Sequence, residues 1–190
     1  GIVISLLIRE NAQGAVDAPV DLVVMDEANH DFPKNGSALQ MGFWPRSIRS
    51  GDSTVRTHLL RRFALLGRTL ESTQVWDVRR AIQEAHRTAQ REHRPLRIVA
   101  KGQMAGVALY ASLFEPGVSE LRLSDLPPSH VYGPHFLNVL RVLDTPQAVA
   151  MAAERSHVIL ENANAADWSF AADTAKALGW GDHLEIHSTR

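Results

Sequence analysis

The chain has 190 residues, with 20 Lys+Arg against 21 Asp+Glu and a formal charge of −1, so one domain spanning 1–190 is predicted and no basic excess points to a nucleic-acid partner. Cysteine is absent, which removes disulfides, thiolate nucleophiles, iron–sulfur clusters and cysteine zinc sites together. Hydrophobic residues make up 45% and charged residues 22%, the balance of a soluble globular chain.

The most apolar run, Ile2–Ile8, ends at Arg9 and Glu10 and is far shorter than the ~20 residues that cross a bilayer, so no membrane span is predicted. It lacks the basic flank and cleavage pattern of a signal peptide, and Gly1 in place of an initiator Met suggests part of a larger polypeptide. Ile2–Ile8 and Leu22–Met25 read as strands around a turn region, Asn11–Pro19. Leu39–Trp44 is a third strand, closed by Pro45, and Arg46–Asp52 reads as an exposed loop.

Ser72–Glu92 has apolar residues at helical steps (Val75, Val78, Ile82, Ala85, Ala89) and arginines on its other face. Leu96–Ala100 is a buried-strand run that leads through Lys101 and Gly102 into a helix marked by Met104, Val107, Ala108, Ala111 and Phe114. Val118–Leu123 is the next strand, Asp125–Pro134 a proline-containing loop, and Phe136–Leu143 a helix. Thr145 before Pro146 offers a capping hydroxyl and a first-position proline for the helix that follows. A strand at His157–Leu160, a helix from Asp167 to Leu178 closed by Gly179 and a strand at His183–His187 complete the pattern. Strands alternating with helices predict an α/β layer fold with a mainly parallel sheet flanked by helices. Ligands of such sheets collect beyond the carboxyl ends of the strands.

The segment from Arg97 to Gly106 runs strand, Gly102, Met104, Gly106, helix. That is the layout of a nucleophile elbow, G-x-S-x-G, with Met104 in the middle position. A thioether cannot be deprotonated to attack an acyl carbon, so the pattern keeps the architecture of an acyl-transfer site without its nucleophile.

Together with Gly67-Arg68-Thr69-Leu70, Val75–Ile82, Tyr110–Phe114, Asp144–Ala150 and Ala177–Trp180, this turn resembles α/β-hydrolases of the acetyl xylan esterase and dienelactone hydrolase type over about residues 59–187. The resemblance implies an α/β-hydrolase-like domain, possible truncation at its N-terminus, and a small ester or carbohydrate as ligand. It also places departures at every functional position. Met104 stands for the serine; Asn162 and Asn164, then Asp167, follow the strand where the acid belongs; His187 is the one histidine near the last strand. The run Val23–His30 lacks the glycines of an oxyanion loop, which leaves the Ala105 amide as a single oxyanion-like donor.

Other constellations compete for attention. His130 and His135, with Asp125 or Ser129, lie in one loop, where a zinc pair or a non-standard ester-cleaving site is conceivable by spacing. The prolines between the histidines break any common register, and backbone-bonded loop histidines are the simpler reading, so no metal or cofactor is predicted. His183 and His187 would share a strand face, and Asp26, Glu27, His30 and Asp31 read as solvated loop charges. Arg46, Arg49, Arg56, Arg61, Arg62 and Arg68, near Trp44 and Phe63, form a basic segment whose arginines are expected to face acidic groups within the fold. The expectation is a degenerate, non-catalytic hydrolase-like domain with a binding or structural role. The alternative is an active hydrolase of small or carbohydrate acetyl esters that uses the Ser129, His130, His135, Asp125 loop.

Overall fold

The computed structural model describes residues 5–12, 14, 17–34, 36–48 and 52–188. Seven strands form one sheet in the order β1-β3-β2-β4-β5-β6-β7: β1 (Leu7–Glu10), β2 (Val20–Val24), β3 (Leu39–Phe43), β4 (Leu96–Lys101), β5 (Val118–Ser124), β6 (His157–Glu161) and β7 (Leu184–His187). Only β1 is antiparallel, pairing Leu7 with Gly42 and Glu10 with Leu39, and the other pairings are parallel. Five helices accompany them: α1 (Ser53–Leu65), α2 (Leu70–Arg91), α3 (Gln103–Ser112), α4 (Thr145–Ala153) and α5 (Ser169–Ala177).

Strand order explains where the core sits. From β3 onward each connection steps toward the β7 edge, whereas β2 to β3 steps the other way. Right-handed crossovers then put α2 to α5 on one face and the β2–β3 loop on the opposite one. The buried apolar set follows that geometry. Leu22, Val24, Ile98, Ala100, Leu121, Leu123, Val158 and Leu160 point to one face and join Val78 and Ile82 of α2, Leu109 of α3, Val149 of α4 and Ala171 of α5 in a single core. The predicted stripe of α2 is the observed one, with Val75, Val78, Ile82, Ala85 and Ala89 all buried. Of its arginines, Arg80, Arg87 and Arg91 are exposed. Arg79 instead pairs with Glu115 at 2.7 Å and lies over the rings of Trp76 and Phe114.

The opposite sheet face is polar and carries its own ion pairs, although Arg122 Nε and Gln40 Oε1 have no hydrogen-bond partner among the described residues. Arg97 Nε donates to Asp21 Oδ1 at 2.6 Å, Arg97 and Arg122 both approach Glu120, and Ser124 Oγ donates to Glu161 Oε2 at 2.6 Å. Burial by itself would pull the Arg97 guanidinium down, but the hydrogen bond and charge of Asp21, with those of Glu120, outweigh it and hold Arg97 above its ordinary value.

Several elements depart from the sequence pattern. The first strand is Leu7–Glu10, shifted from Ile2–Ile8, with Leu7 and Ile8 exposed, and residues 1–4 of the predicted run lie outside the described residues. Helix α1 occupies a stretch to which the pattern assigned nothing. Its Asp52 cap accepts from Thr54 N and Val55 N, and its Val55, Leu59 and Phe63 recur at steps of four although none of them is buried. The α2 helix starts at Leu70 because Thr69 and Ser72 form a reciprocal capping box. Phe136–Leu143 is not a helix; only Val139–Arg141 makes a 3₁₀ turn, after Asn138 in the left-handed conformation at φ 59°. Asp144, not Thr145, caps α4, in a capping box with Gln147. The α5 helix begins at Ser169, preceded by a 3₁₀ segment Ala165–Trp168 that includes Asp167. His183 belongs to a 3₁₀ turn before β7 and bonds through Nδ1 to Ala153 O at 2.9 Å, so it does not share a strand face with His187.

Candidate functional site

The chain reverses its direction of travel between β2 and β4, and the carboxyl ends of these neighbours form the crevice where α/β sheets bind ligands. A cleft of about 260 Å³ lies there, lined by Met25, Asp26, Glu27, Trp44, Arg56 and Met104 among others. One wall is rigidly built. Arg46 grips Asp77 bidentately, Nε to Oδ2 at 2.7 Å and Nη2 to Oδ1 at 2.6 Å, and the Arg46 backbone N–H also reaches Oδ2. The hydrogen bonds that Arg46 donates to Asp77 hold the Arg46 charge more firmly than usual. Gln74 Nε2 donates to Arg46 O at 2.9 Å, which pins the chain between Trp44 and α1. Asp26 is absorbed by its own turn, Oδ1 accepting from Ala28 N and Asn29 N, and His30 Nδ1 faces Glu27 O.

The sharp strand-to-helix turn falls at Gly102, two residues before the position taken as the elbow's centre. Gly102 has φ 58° and ψ −129° immediately before α3, a strained conformation that side chains rarely adopt. A Cβ added there would meet nothing within 4 Å, so the turn presents its central residue to open space, as an elbow does. Met104 is instead the second residue of α3, buried in the core at 6% exposure. The second glycine of the pattern, Gly106, serves packing, because a Cβ there would collide with the ring of Pro134. Ala105 N–H is already bonded to Gly102 O at 3.1 Å, and the amide that follows the turn's central residue is that of Gln103. The two glycines are legible in sequence, but only the backbone angles say which residue sits at the apex.

The remaining predicted site residues are scattered. His130 is buried; its Nδ1 bonds Pro134 O at 2.6 Å and its Nε2 bonds Tyr110 Oη at 2.7 Å. A carbonyl only accepts, so Nδ1 carries a proton and, in the neutral ring, Nε2 accepts from Tyr110. His135 is exposed, so the two histidines do not converge on one ion. Ser129 hydrogen-bonds Asp144 and accepts from Val131 N. Burial would raise the Asp144 carboxyl, but hydrogen bonds from Ser129 and from the amides of His130 and Thr145 hold it below its ordinary value. Burial first, and then the Asp144 charge, push the Tyr110 phenol up. Asp125 is exposed beside Lys101, 3.4 Å away. No group of three His, Cys, Asp or Glu among the described residues has metal-ligating geometry.

Asn162 follows β6 in the left-handed conformation, Asn164 caps the next 3₁₀ turn through Ala166 N, and Asp167 is exposed. His187 sits on β7 with Nε2 3.1 Å from Glu185 Oε2, whose other oxygen faces His157. Three strand spacings, roughly 14 Å, separate β7 from the β4 turn that ends in Gly102. His187 is therefore not aimed at the turn.

No protein-family model matches this sequence, and no curated protein matches it. In three dimensions the chain is similar to the crystal structure of a Bacteroides fragilis protein assigned as an acetyl xylan esterase, with a TM-score of 0.62 at 12% identity. The superposition covers 99% of this chain and 62% of that one, so the chain spans under two thirds of its neighbour's length. The fold is α/β-hydrolase-like. No helix among the described residues is long and apolar enough to cross a membrane.

Proposed function

We propose that this chain is a degenerate carbohydrate-esterase-type domain that binds a small ester or carbohydrate, or serves a structural role, without hydrolysing it. The observation that supports this reading is the glycine at the strained elbow position. Gly102 supplies no hydroxyl, and an acyl-transfer mechanism of this class needs a nucleophile there. Asn162 and Asn164 replace the expected carboxylate, and His187 is engaged with Glu185. The cleft beside Met25, Trp44 and Met104 is the proposed ligand site, where the indole face and the polar rim of Asp26, Glu27 and Arg56 suit a compact, partly polar molecule. The test is direct: purified chain assayed against acetylated xylan and aryl acetates, with a serine-directed phosphonate as a covalent probe. Turnover that copurifies with the chain through successive columns would refute the non-catalytic reading and direct attention to Ser129.

A further inference from the structure

Of the described arginines in the basic segment, Arg46 alone pairs within the fold, with Asp77. Arg56, Arg61, Arg62 and Arg68 form no ion pair with a described residue, contrary to the expectation that they face acidic groups of the fold. The cations that do meet acidic groups include those on the polar sheet face, Arg97 and Arg122. A cleft of about 460 Å³ lies there, larger than the one beside Met104 and within the roughly 300–1,000 Å³ of small-molecule sites. Strands β2, β4, β5 and β6 form its floor, and the β2–β3 loop from Ala28 to Pro33 completes its lining. The parallel register sets Lys101 opposite Ser124 and Ser124 opposite Glu161, so a cation, a hydroxyl and a carboxylate stand side by side at the strand ends. Ser124 Oγ donates to Glu161 Oε2 at 2.6 Å and fixes that carboxylate. Glu161 Oε1 accepts no hydrogen bond from a described residue; Arg122 Nε is 3.9 Å away, too far for one. Phe32 supplies the apolar side. Its ring tip seats over Gly42, where a Cβ would come within 2.8 Å of it, and Arg9 lies over the ring at 5.6 Å.

We propose that this cleft binds a neutral sugar, with hydroxyl groups on Glu161, Ser124 and Lys101 and the C–H face of the sugar ring against Phe32 and Val99. Charge decides the class of ligand. The lining holds three cations, Arg97, Lys101 and Arg122, against three carboxylates, Asp21, Asp31 and Glu161. An anion or a cation would meet a group of its own sign beside each partner, and such juxtapositions cost affinity. A hydroxyl escapes that conflict because it both donates and accepts. It can accept from Lys101 or Arg122 and donate to Glu161 Oε1, the carboxylate oxygen that Ser124 leaves open. The cleft shares only Ala28 with the lining of the elbow cleft, and its role is independent of whether the chain has catalytic activity.

The experiment titrates the isotope-labelled full chain with glucose, xylose, mannose and cellobiose at millimolar concentration and follows the backbone amides by two-dimensional NMR. Shifts are expected at Val23, Val99 and Ser124, which line the cleft. Benzoate and alanine, an anion and a zwitterion, should leave these amides in place. Glu161→Ala should weaken sugar binding roughly tenfold or more, the worth of a hydrogen bond to a charged group. Lys101→Ala should weaken it severalfold; that side chain is half-exposed and pairs only with Asp125, so the fold does not depend on it. Amide spectra of the sugar-free variants that match the parent separate lost binding from lost folding, and the Lys101 variant decides if the Glu161 variant unfolds. No shift with any of the sugars, equal or larger shifts with benzoate or alanine, or undiminished binding by a folded variant would overturn the proposal. Shifts confined to Trp44 and Met104 would overturn it too, while supporting the elbow cleft as the ligand site.

Discussion

Tyr110 Oη lies 2.7 Å from His130 Nε2, and this bond ties α3 to the loop that follows β5. Phe136 packs edge-on against both rings. The pairing turns two residues with familiar catalytic chemistry into a structural clasp, since both imidazole nitrogens are engaged and His130 is buried. Tyr110→Phe keeps the ring contacts and orphans a buried acceptor, so it should cost about 1–3 kcal/mol of unfolding free energy. Denaturant titration reads the loss; an unchanged midpoint would mean that water replaces the phenol.

Ile82 is essentially fully buried on α2 against the sheet. Ile82→Ala should cost about 2–5 kcal/mol, with the cavity adding to the lost transfer energy. A loss within measurement error would show that α2 relaxes onto the sheet without that side chain.

Asp144 links Ser129, His130 and the start of α4 through bonds to its charged form. Its folded pKa is lowered, so its contribution is present above the ordinary carboxylate value of about 3.9 and fades as pH falls through the lower folded value. Asp144→Asn should therefore destabilise the chain near neutral pH, and the gap between variant and parent should narrow in acid. Thermal melts across pH report it; a gap that is constant with pH would mean that packing, not charge, is responsible.

Gly106 and Gly102 should respond differently to a methyl group. Gly106→Ala pushes on the Pro134 ring and should cost about 1–3 kcal/mol by overpacking. Gly102→Ala meets open space, and only backbone strain of about 1–3 kcal/mol opposes it. The two separate in near-ultraviolet circular dichroism, where the Gly106 variant should disturb the Tyr110 and Phe136 environment and the Gly102 variant should not. Equal perturbation by both would argue that Pro134 does not seat against α3.

Placing a hydroxyl at the turn tests the proposed lack of chemistry. Gly102→Ser should remain unlabelled by a serine-directed phosphonate and should hydrolyse acetyl esters no faster than the parent, because His130 is held by Pro134 O and Tyr110 and His187 by Glu185, which leaves neither to activate it. Met104→Ser should likewise gain nothing, since that residue lies within α3 and not at the apex of the turn. Rapid labelling of the Gly102 variant would reveal a base that the present geometry does not place there.

The sequence by itself determined the layer class, because alternating runs such as Leu96–Ala100 and the stripe Val75 to Ala89 carry periods that strands and helices impose on their own. It also located the strand–glycine–helix turn, since glycine marks backbone that other residues avoid. It misplaced the centre of that turn by two residues, because Gly102 and Gly106 look alike in sequence and differ only in what surrounds them: open space for one, the Pro134 ring for the other. Helix α1 carries Val55, Leu59 and Phe63 at helical steps, yet it buries none of them, so the period marks a helix without marking core. The spread of His130, His135, Asp125 and His187 over separate environments was decided by the tertiary structure alone. Proximity of side chains distant in sequence depends on strand order and crossover hand, which no local pattern encodes.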